Sequence, residues 1–414
     1  MTSVAAEPWF SDPDLTRVLA LLNNDGGQAR IVGGAVRNSL MGIAVSDMDI
    51  ATTLRPEIVQ ARAEAAGIKC VPTGLKHGTV TLVLGGHPFE VTTLRRDVET
   101  DGRHAEVEFT DDWKADAERR DLTINALYAD ADGQVHDDVG GLEDIKTATI
   151  RFIGSAAQRI AEDHLRILRF FRFFAYYGQG RPDAEGLKAS AAAKKTVHAL
   201  SVERVWAEMR KLLSAKDPFR ALLWMRTAGV LTEVLPETEK WGIDLIPALV
   251  RAERQFGWDS DPLLRLAAMV PPVPERLKAM GERLKMSSAE KAFFAQFSEF
   301  PDVAETMSRA AFEKLLYELG AEGGKAKLKL AIASAVGKGE EDLEALRRVG
   351  FLQKRLDETL QWQRPVFPVK GADLMAHGIP PGPEMGVALA GLEKRWIESD
   401  FRLSREDLLA GIIH

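Results

Sequence analysis

The stretch from Ile31 to Thr52, Ile-Val-Gly-Gly-Ala-Val-Arg-Asn-Ser-Leu-Met-Gly-Ile-Ala-Val-Ser-Asp-Met-Asp-Ile-Ala-Thr, leaves the chain few ways to fold. It reads as a strand, a glycine turn, a short helix and a second strand. Ala35 to Met41 make about two helical turns, and Gly42 ends them as a C-terminal glycine. Gly33 and Gly34 fall where the first strand feeds the helix. Without side chains there, backbone N–H groups at the helix start let a phosphate approach closely. Arg37, one turn in, adds a charged fork. The spacing predicts that Asp47 and Asp49 lie on the second strand and point to one side, with Met48 and Ile50 toward the core. Taken singly, a Gly-Gly pair is more often a plain turn and an Asp-x-Asp a solvated strand end. In this order, and so close together, two hard oxygen ligands beside a phosphate cradle point to Mg²⁺ and nucleotide chemistry.

A chain of 414 residues exceeds one ordinary core, so two or more domains are expected. Its 45% apolar and 28% charged residues place it among globular proteins. No apolar run reaches the roughly 20 residues of a membrane span. The opening Met-Thr-Ser-Val-Ala-Ala-Glu-Pro-Trp-Phe lacks the basic start and apolar run of a secretory signal. Cys70 is the single cysteine, which rules out an internal disulfide and a cysteine zinc site and fits a reducing cytoplasm. The net charge of -7 argues against indiscriminate nucleic-acid binding. Yet Arg151 to Lys216 holds thirteen Lys or Arg against six Asp or Glu, a basic segment suited to a polyanion.

Along the chain, residues 12–23 and 56–66 read as helices, each opening near a proline and an acidic residue. Thr79–Leu84 and Phe89–Leu94 alternate around Gly85-Gly86-His87 and read as a hairpin. Periodicity alone leaves Glu90, on its second strand, as readily a solvent-facing glutamate as a site residue. Arg95 to Phe109 is polar and poorly periodic and reads as a mobile loop holding Arg103 and His104. Arg119-Arg120-Asp121, taken alone, reads as a surface charge cluster. Arg159 to Phe173 has no Gly or Pro and reads as one unbroken helix. On it Asp163, Arg166 and Arg169 are spaced by three along one face, and Arg172 continues the series. Such a carboxylate and guanidinium either form a plain intrahelical ion pair or hydrogen-bond the edge of a base. Ser201 to Leu213 reads as a helix capped by Ser201, with Arg204 and Glu208 paired. Beyond Asp217 helices follow one another, punctuated by Pro271-Pro272-Val273-Pro274 and Gly337-Lys338-Gly339, without an internal repeat.

Several of these blocks together resemble the class II tRNA nucleotidyltransferase (CCA-adding enzyme) and bacterial poly(A) polymerase family. They are Gly-Gly-x-Val-Arg at 33–37, Asp-x-Asp-Ile-Ala-Thr at 47–52, Arg-Arg-Asp-x-Thr-x-Asn-Ala at 119–126, Glu-Asp-x-x-Arg at 162–166 and Glu-Arg-x-x-x-Glu at 203–208. Asn38 departs from the pattern, standing where the family has Asp and so removing a charge.

The resemblance implies an α+β fold: a mixed-sheet nucleotidyltransferase head over 1–150, then a helical neck over 151–216, a body over 217–340 and a tail over 341–414. It implies addition of CMP and AMP from CTP and ATP to the 3′ end of tRNA, with Mg²⁺ held by Asp47 and Asp49 and supported by Glu90. Gly33, Gly34, Arg37 and Arg120 would meet the phosphates, and Asn125 the sugar or a neighbouring loop. Asp163 and Arg166 would select the base, with Arg169 and Arg172 beside them. The loop at 95–109 would help change nucleotide preference, and the segment Phe367 to Gly386 would touch RNA backbone or pack the tail. No membrane association and no obligate protein partner are implied. Poly(A) polymerase, an enzyme adding only C or only A, and a non-catalytic RNA-binding protein stay open as alternatives.

Overall fold

In the computed structural model, which describes residues 2–100, 105–239, 241–339 and 341–410, the chain forms two compact units, Met1–Pro236 and Glu237–His414. The first begins with α1 (Pro13–Leu22), whose Asp12 cap accepts the N–H groups of Asp14 and Leu15. Then come β1 (Ala29–Val32), α2 (Gly34–Leu40), β2 (Asp49–Thr52), α3 (Pro56–Ala65), β3 (Lys69–Gly74), β4 (Thr79–Leu84) and β5 (His87–Thr93). After a ribbon of β6 (Arg95–Thr100) and β7 (Ala105–Phe109), the chain adds α4 (Trp113–Glu118), β8 (Leu127–Ala129), β9 (Val135–Asp137) and α5 (Gly141–Lys146). The main sheet runs β3-β4-β5-β2-β1-β8-β9. Its strands pair antiparallel except β2 with β5, which puts Asp49 opposite Glu90. The hairpin of β4 and β5 turns at Gly85-Gly86, as its alternation predicts.

Two expectations about this part are corrected. Asp47 lies ahead of β2, not on it. The ladder with β1 stops at the pair Val32–Asp49, because Gly33 then turns the partner strand away at φ 69°. Beyond that pair β1 offers Asp47 and Met48 no backbone to bond, and β2 begins at Asp49 although β5 runs on to His87. Residues 95–109 are also not a plain loop, since β6 and β7 pair antiparallel. Arg96 and Glu108 face each other across the ribbon at 2.8 Å. A two-stranded ribbon away from the main sheet needs no apolar alternation, which is why the sequence pattern missed it. Arg103 and His104 lie outside the described residues.

The unit continues with α6 (Ala156–Glu162), α7 (Arg166–Tyr177), α8 (Ala184–Ala192), α9 (Val202–Leu213), α10 (Phe219–Thr227) and α11 (Val230–Val234). The expected single helix over 159–173 is thus two. Asp163 sits between them with extended backbone, φ -149° and ψ 108°. Its own Oδ1 accepts the N–H of Leu165 at 3.0 Å. A short acidic side chain that bonds its neighbouring backbone competes with the helix, so the break needs no Gly or Pro. Phe170, Phe171 and Phe174 of α7 are buried against the neighbouring helices. Burying each stabilises the unit by roughly 1.5–3 kcal/mol. Ser201 caps α9, as expected, by accepting the N–H of Arg204.

The second unit is all helix among the described residues. One of its cores packs Phe300, Phe312 and Leu316 on Leu328, Ile332, Leu352 and Leu356. Another gathers Tyr317, Leu374, Leu392 and Trp396, with Phe367, Ile379 and Met385 packed against them. The segment from Phe367 therefore contributes to packing at the chain's end.

Candidate active site

A cavity of about 500 Å³ opens within the first unit. Nine of the twelve candidate residues line it: Gly33, Gly34, Arg37, Asp49, Arg120, Asn125, Asp163, Arg166 and Arg169. Its volume is within the range of small-molecule sites.

The floor follows from the β1–α2 turn. Gly33 holds φ 69°, and a Cβ placed there would come within 3.4 Å of the Asn125 carbonyl oxygen. A Cβ on Gly34 would meet only Arg37 Nη2, at 3.8 Å. Gly33→Ala is therefore expected to cost about 1–2 kcal/mol in backbone strain. It should also raise the KM for nucleotide about tenfold by blocking close approach at the helix start. Thermal melts and steady-state kinetics read the two effects separately.

Arg37 is buried, and all its side-chain partners are neutral. Its Nη1 donates to Asn125 Oδ1, its Nε and Nη2 to Asn38 Oδ1, and its Nη2 to the Tyr177 hydroxyl at 2.8 Å. The Tyr177 ring lies 4.2 Å from the guanidinium carbon. Burial pulls the Arg37 pKa below its usual value, an effect that Tyr177 opposes. Arginine stays charged regardless, so this cation enters the cavity without a counter-charge on its partners. Asn38, neutral where the family pattern has Asp, is one reason.

The other arginines each meet a carboxylate. Arg119 and Arg120 pair with Asp116 at 2.5 and 3.1 Å, Arg169 with Asp121 at 2.6 Å, and Arg166 with Glu162. Burial pushes the Asp121 carboxyl up, but Arg169, together with Asn125 and Arg166, holds it below the usual range. Asp121 also accepts from Asn125 Nδ2 at 3.2 Å. The Asn125 amide is thus spent between Asp121 and Arg37, and it positions the latter.

The acidic candidates divide. Asp49 reaches the cavity. Its surface stays open to solvent on one side, yet the protein packed around it, with the charges of Glu90 and Asp47, lifts its carboxyl above the usual value against the pull of Arg120. Glu90 is beside it in the parallel register but does not line the cavity. Asp47 is exposed, accepts from Ser46 Oγ at 2.9 Å and does not line it either. Among the described residues no three His, Cys, Asp or Glu side chains converge as a ready cation cage. The donor set, carboxylates crowded enough to repel one another, still fits a hard divalent cation completed by phosphate and water oxygens.

Neither the expected Arg204–Glu208 pair nor the alternative of an Asp163–Arg166 ion pair is present. Asp163 Oδ2 accepts from Arg204 Nη2 at 2.9 Å, and Arg166 turns to Glu162. Glu208 accepts Arg172 at 2.6 Å instead of Arg204. The helix break explains the first change: once α6 ends at Glu162, Asp163 and Arg166 no longer share a helical face. Asp163, Arg166 and Arg204 nevertheless all line the cavity. Arg172 stays outside, over the Phe173 ring at 4.3 Å.

Sequence reasoning did not nominate Asp116, Asp121, Tyr177 or Arg204. Asp116 carried a signal, lying three and four residues before Arg119 and Arg120 on α4. Tyr177 carried none, since its contact with Arg37 spans 140 residues.

Comparison with known proteins agrees with this geometry. A family model described as the poly A polymerase head domain matches residues 29–151, and one described as a probable RNA and SrmB-binding site of polymerase A matches 182–241. The chain is 36% identical over 408 residues to the mitochondrial CCA tRNA nucleotidyltransferase 1 of Mus musculus, covering 96% of this chain and 89% of that protein. It is 40% identical over 225 residues to a CCA-adding enzyme of Bacillus pumilus, covering 54% and 55%. The crystal structure of a Bacillus stearothermophilus CCA-adding enzyme in complex with CTP superposes with a TM-score of 0.69 at 26% identity, over 96% of this chain and 95% of that one. With near-full-length identity above a third, and with the α+β head predicted from its motifs, the chain belongs to the CCA-adding tRNA nucleotidyltransferase and poly(A) polymerase family.

Proposed function

We propose that this chain adds CMP and AMP, from CTP and ATP, to the 3′ end of tRNA, building or repairing CCA without a nucleic-acid template. The observation that carries this reading is one cavity lined both by the glycine turn with Arg37 and Arg120 and by Asp163 with Arg166. One wall suits a triphosphate and the other a base edge. In this reading residues 1–150 perform the chemistry and 151–216 select the base, 217–340 form a helical body, and 341–414 hold tRNA.

Gly33 and Gly34 admit the phosphates to the backbone, and Arg37 and Arg120 neutralise them. Asn125 and Tyr177 keep the Arg37 fork aimed. Asp163 accepts from the base amino group, and Arg166 donates to a ring acceptor. Arg169, through Asp121, ties α7 to the Arg120 segment. Arg172 braces α7 on α9 through Glu208. Mg²⁺ held by Asp47 and Asp49, with Glu90 in support, supplies when bound an activated 3′-hydroxyl and a neutralised triphosphate. The single free Cys70 supports a reducing compartment, and we place the enzyme in the cytoplasm.

Incubating a tRNA transcript that lacks CCA with CTP, ATP and Mg²⁺ tests the reading. The product should be three nucleotides longer, and chelation of the metal should stop its formation. A transcript that is bound but never extended would leave a non-catalytic RNA-binding protein.

A further inference from the structure

Asp116 is almost fully buried, 1% exposed, and does not line the cavity. It is nonetheless the most heavily bonded carboxylate near it. Oδ1 accepts Arg119 Nε at 2.9 Å, Arg119 Nη2 at 2.5 Å and the backbone N–H of Arg95 at 3.2 Å. Oδ2 accepts Arg120 Nε at 3.2 Å, Arg120 Nη2 at 3.1 Å and the Tyr128 hydroxyl at 2.7 Å. Tyr128 also receives Arg120 Nε at 3.1 Å.

This bonding takes up one edge of the Arg120 fork, the edge formed by Nε and Nη2. The remaining nitrogen, Nη1, donates to the Asn125 backbone carbonyl at 3.5 Å and faces the glycine turn, where a Cβ on Gly33 would stand 4.0 Å from it. A planar guanidinium held by one edge has its other edge fixed in direction. Burial pushes the Asp116 carboxyl up, but the two arginines with the Tyr128 hydroxyl hold it below its usual range, so it stays ionised at neutral pH.

We propose that Asp116 is the positioning residue that aims Arg120 Nη1 at the phosphate cradle. The proposal rests on the reading of that cradle as a triphosphate site. It makes a prediction of unusual sign. A carboxylate that acts only through its charge should weaken anion binding, so removing that charge should tighten it. A carboxylate that aims the fork should do the reverse.

The test is calorimetric binding of CTP and of inorganic pyrophosphate in magnesium buffer, which needs no turnover. Asp116→Asn keeps size and one acceptor oxygen. It is expected to raise both dissociation constants about tenfold. KM for CTP should rise more than kcat falls. In an Arg120→Gln background the same change should alter binding less than about twofold, because the residue acts through Arg120. Should Asp116→Asn fail to fold, Tyr128→Phe carries the test. It removes the hydroxyl shared by Asp116 and Arg120 and should raise the constants about threefold. Binding equal to or tighter than wild type, or losses that add to those of Arg120→Gln, would overturn the proposal. A wild-type protein that binds neither ligand would overturn the triphosphate reading as well, so the two failures are distinguishable.

Discussion

Asp49→Ala is expected to reduce nucleotide addition by on the order of 10³-fold or more, since metal charge stabilisation is worth several kcal/mol and about 1.4 kcal/mol is a factor of ten. Asp47→Ala should do the same. Neither change should cost stability. Crowding by protein, with Glu90 and Asp47 nearby, lifts the folded-state pKa of Asp49 above its usual value. The folded protein then binds that proton more tightly than the unfolded chain. The sign follows: as pH rises through the raised pKa, the folded state loses stability relative to the unfolded one. At neutral pH without metal, Asp49→Ala should therefore melt at or above the wild-type temperature. Adding Mg²⁺ should raise the melting temperature of wild type and not of the variant. Near-normal turnover in both variants would remove these residues from the reaction.

Asp163→Ala is expected to lose discrimination against UTP and GTP by about one to two powers of ten while changing stability by less than about 1 kcal/mol. Its ion pair with Arg204 is half open to solvent and contributes little to folding. Its carboxylate is nonetheless well fixed, by Leu165 N–H on one oxygen and Arg204 on the other. Four lone-pair sites leave room for a base amino group. CTP and ATP offer that amino group. UTP and GTP present a carbonyl there, setting acceptor against acceptor. Arg166→Ala should weaken use of both CTP and ATP. Relative catalytic efficiency for all four nucleotides, with a melt for each variant, is the measurement. Unchanged selectivity in Asp163→Ala would make the Asp163–Arg204 pair a surface ion pair and nothing more.

What the sequence conveyed was the local part of this site. The Gly33-Gly34 turn, the short helix ended near Gly42 and the hairpin around Gly85-Gly86 are set by glycine conformation and alternation, so a window of residues suffices. The start of β2 is not local, because its ladder with β1 opens only at the Val32–Asp49 pair, where Gly33 turns the partner away. That is why Asp47 was placed on a strand it does not join. The break at Asp163 was invisible because a side chain, not a Gly or Pro, makes it. With that break missed, the ion pair that the spacing offered between Asp163 and Arg166 does not form, and each takes another partner. Arg37 illustrates the limit from the other side. Its charge and position were legible, whereas Asn125 and Tyr177, which complete its neutral shell with Asn38, come from distant segments.

The central claim is CCA addition, and its most direct measurement uses three tRNA transcripts, ending before CCA, after the first C and after the second. Each is incubated with CTP alone, ATP alone and both, and the products are resolved by length. CTP alone should extend the first by two and the second by one, and ATP should add one residue to the third, with both nucleotides bringing all three to the same end. Long adenylate tails, or a product that stops after C or accepts only A, would contradict the account.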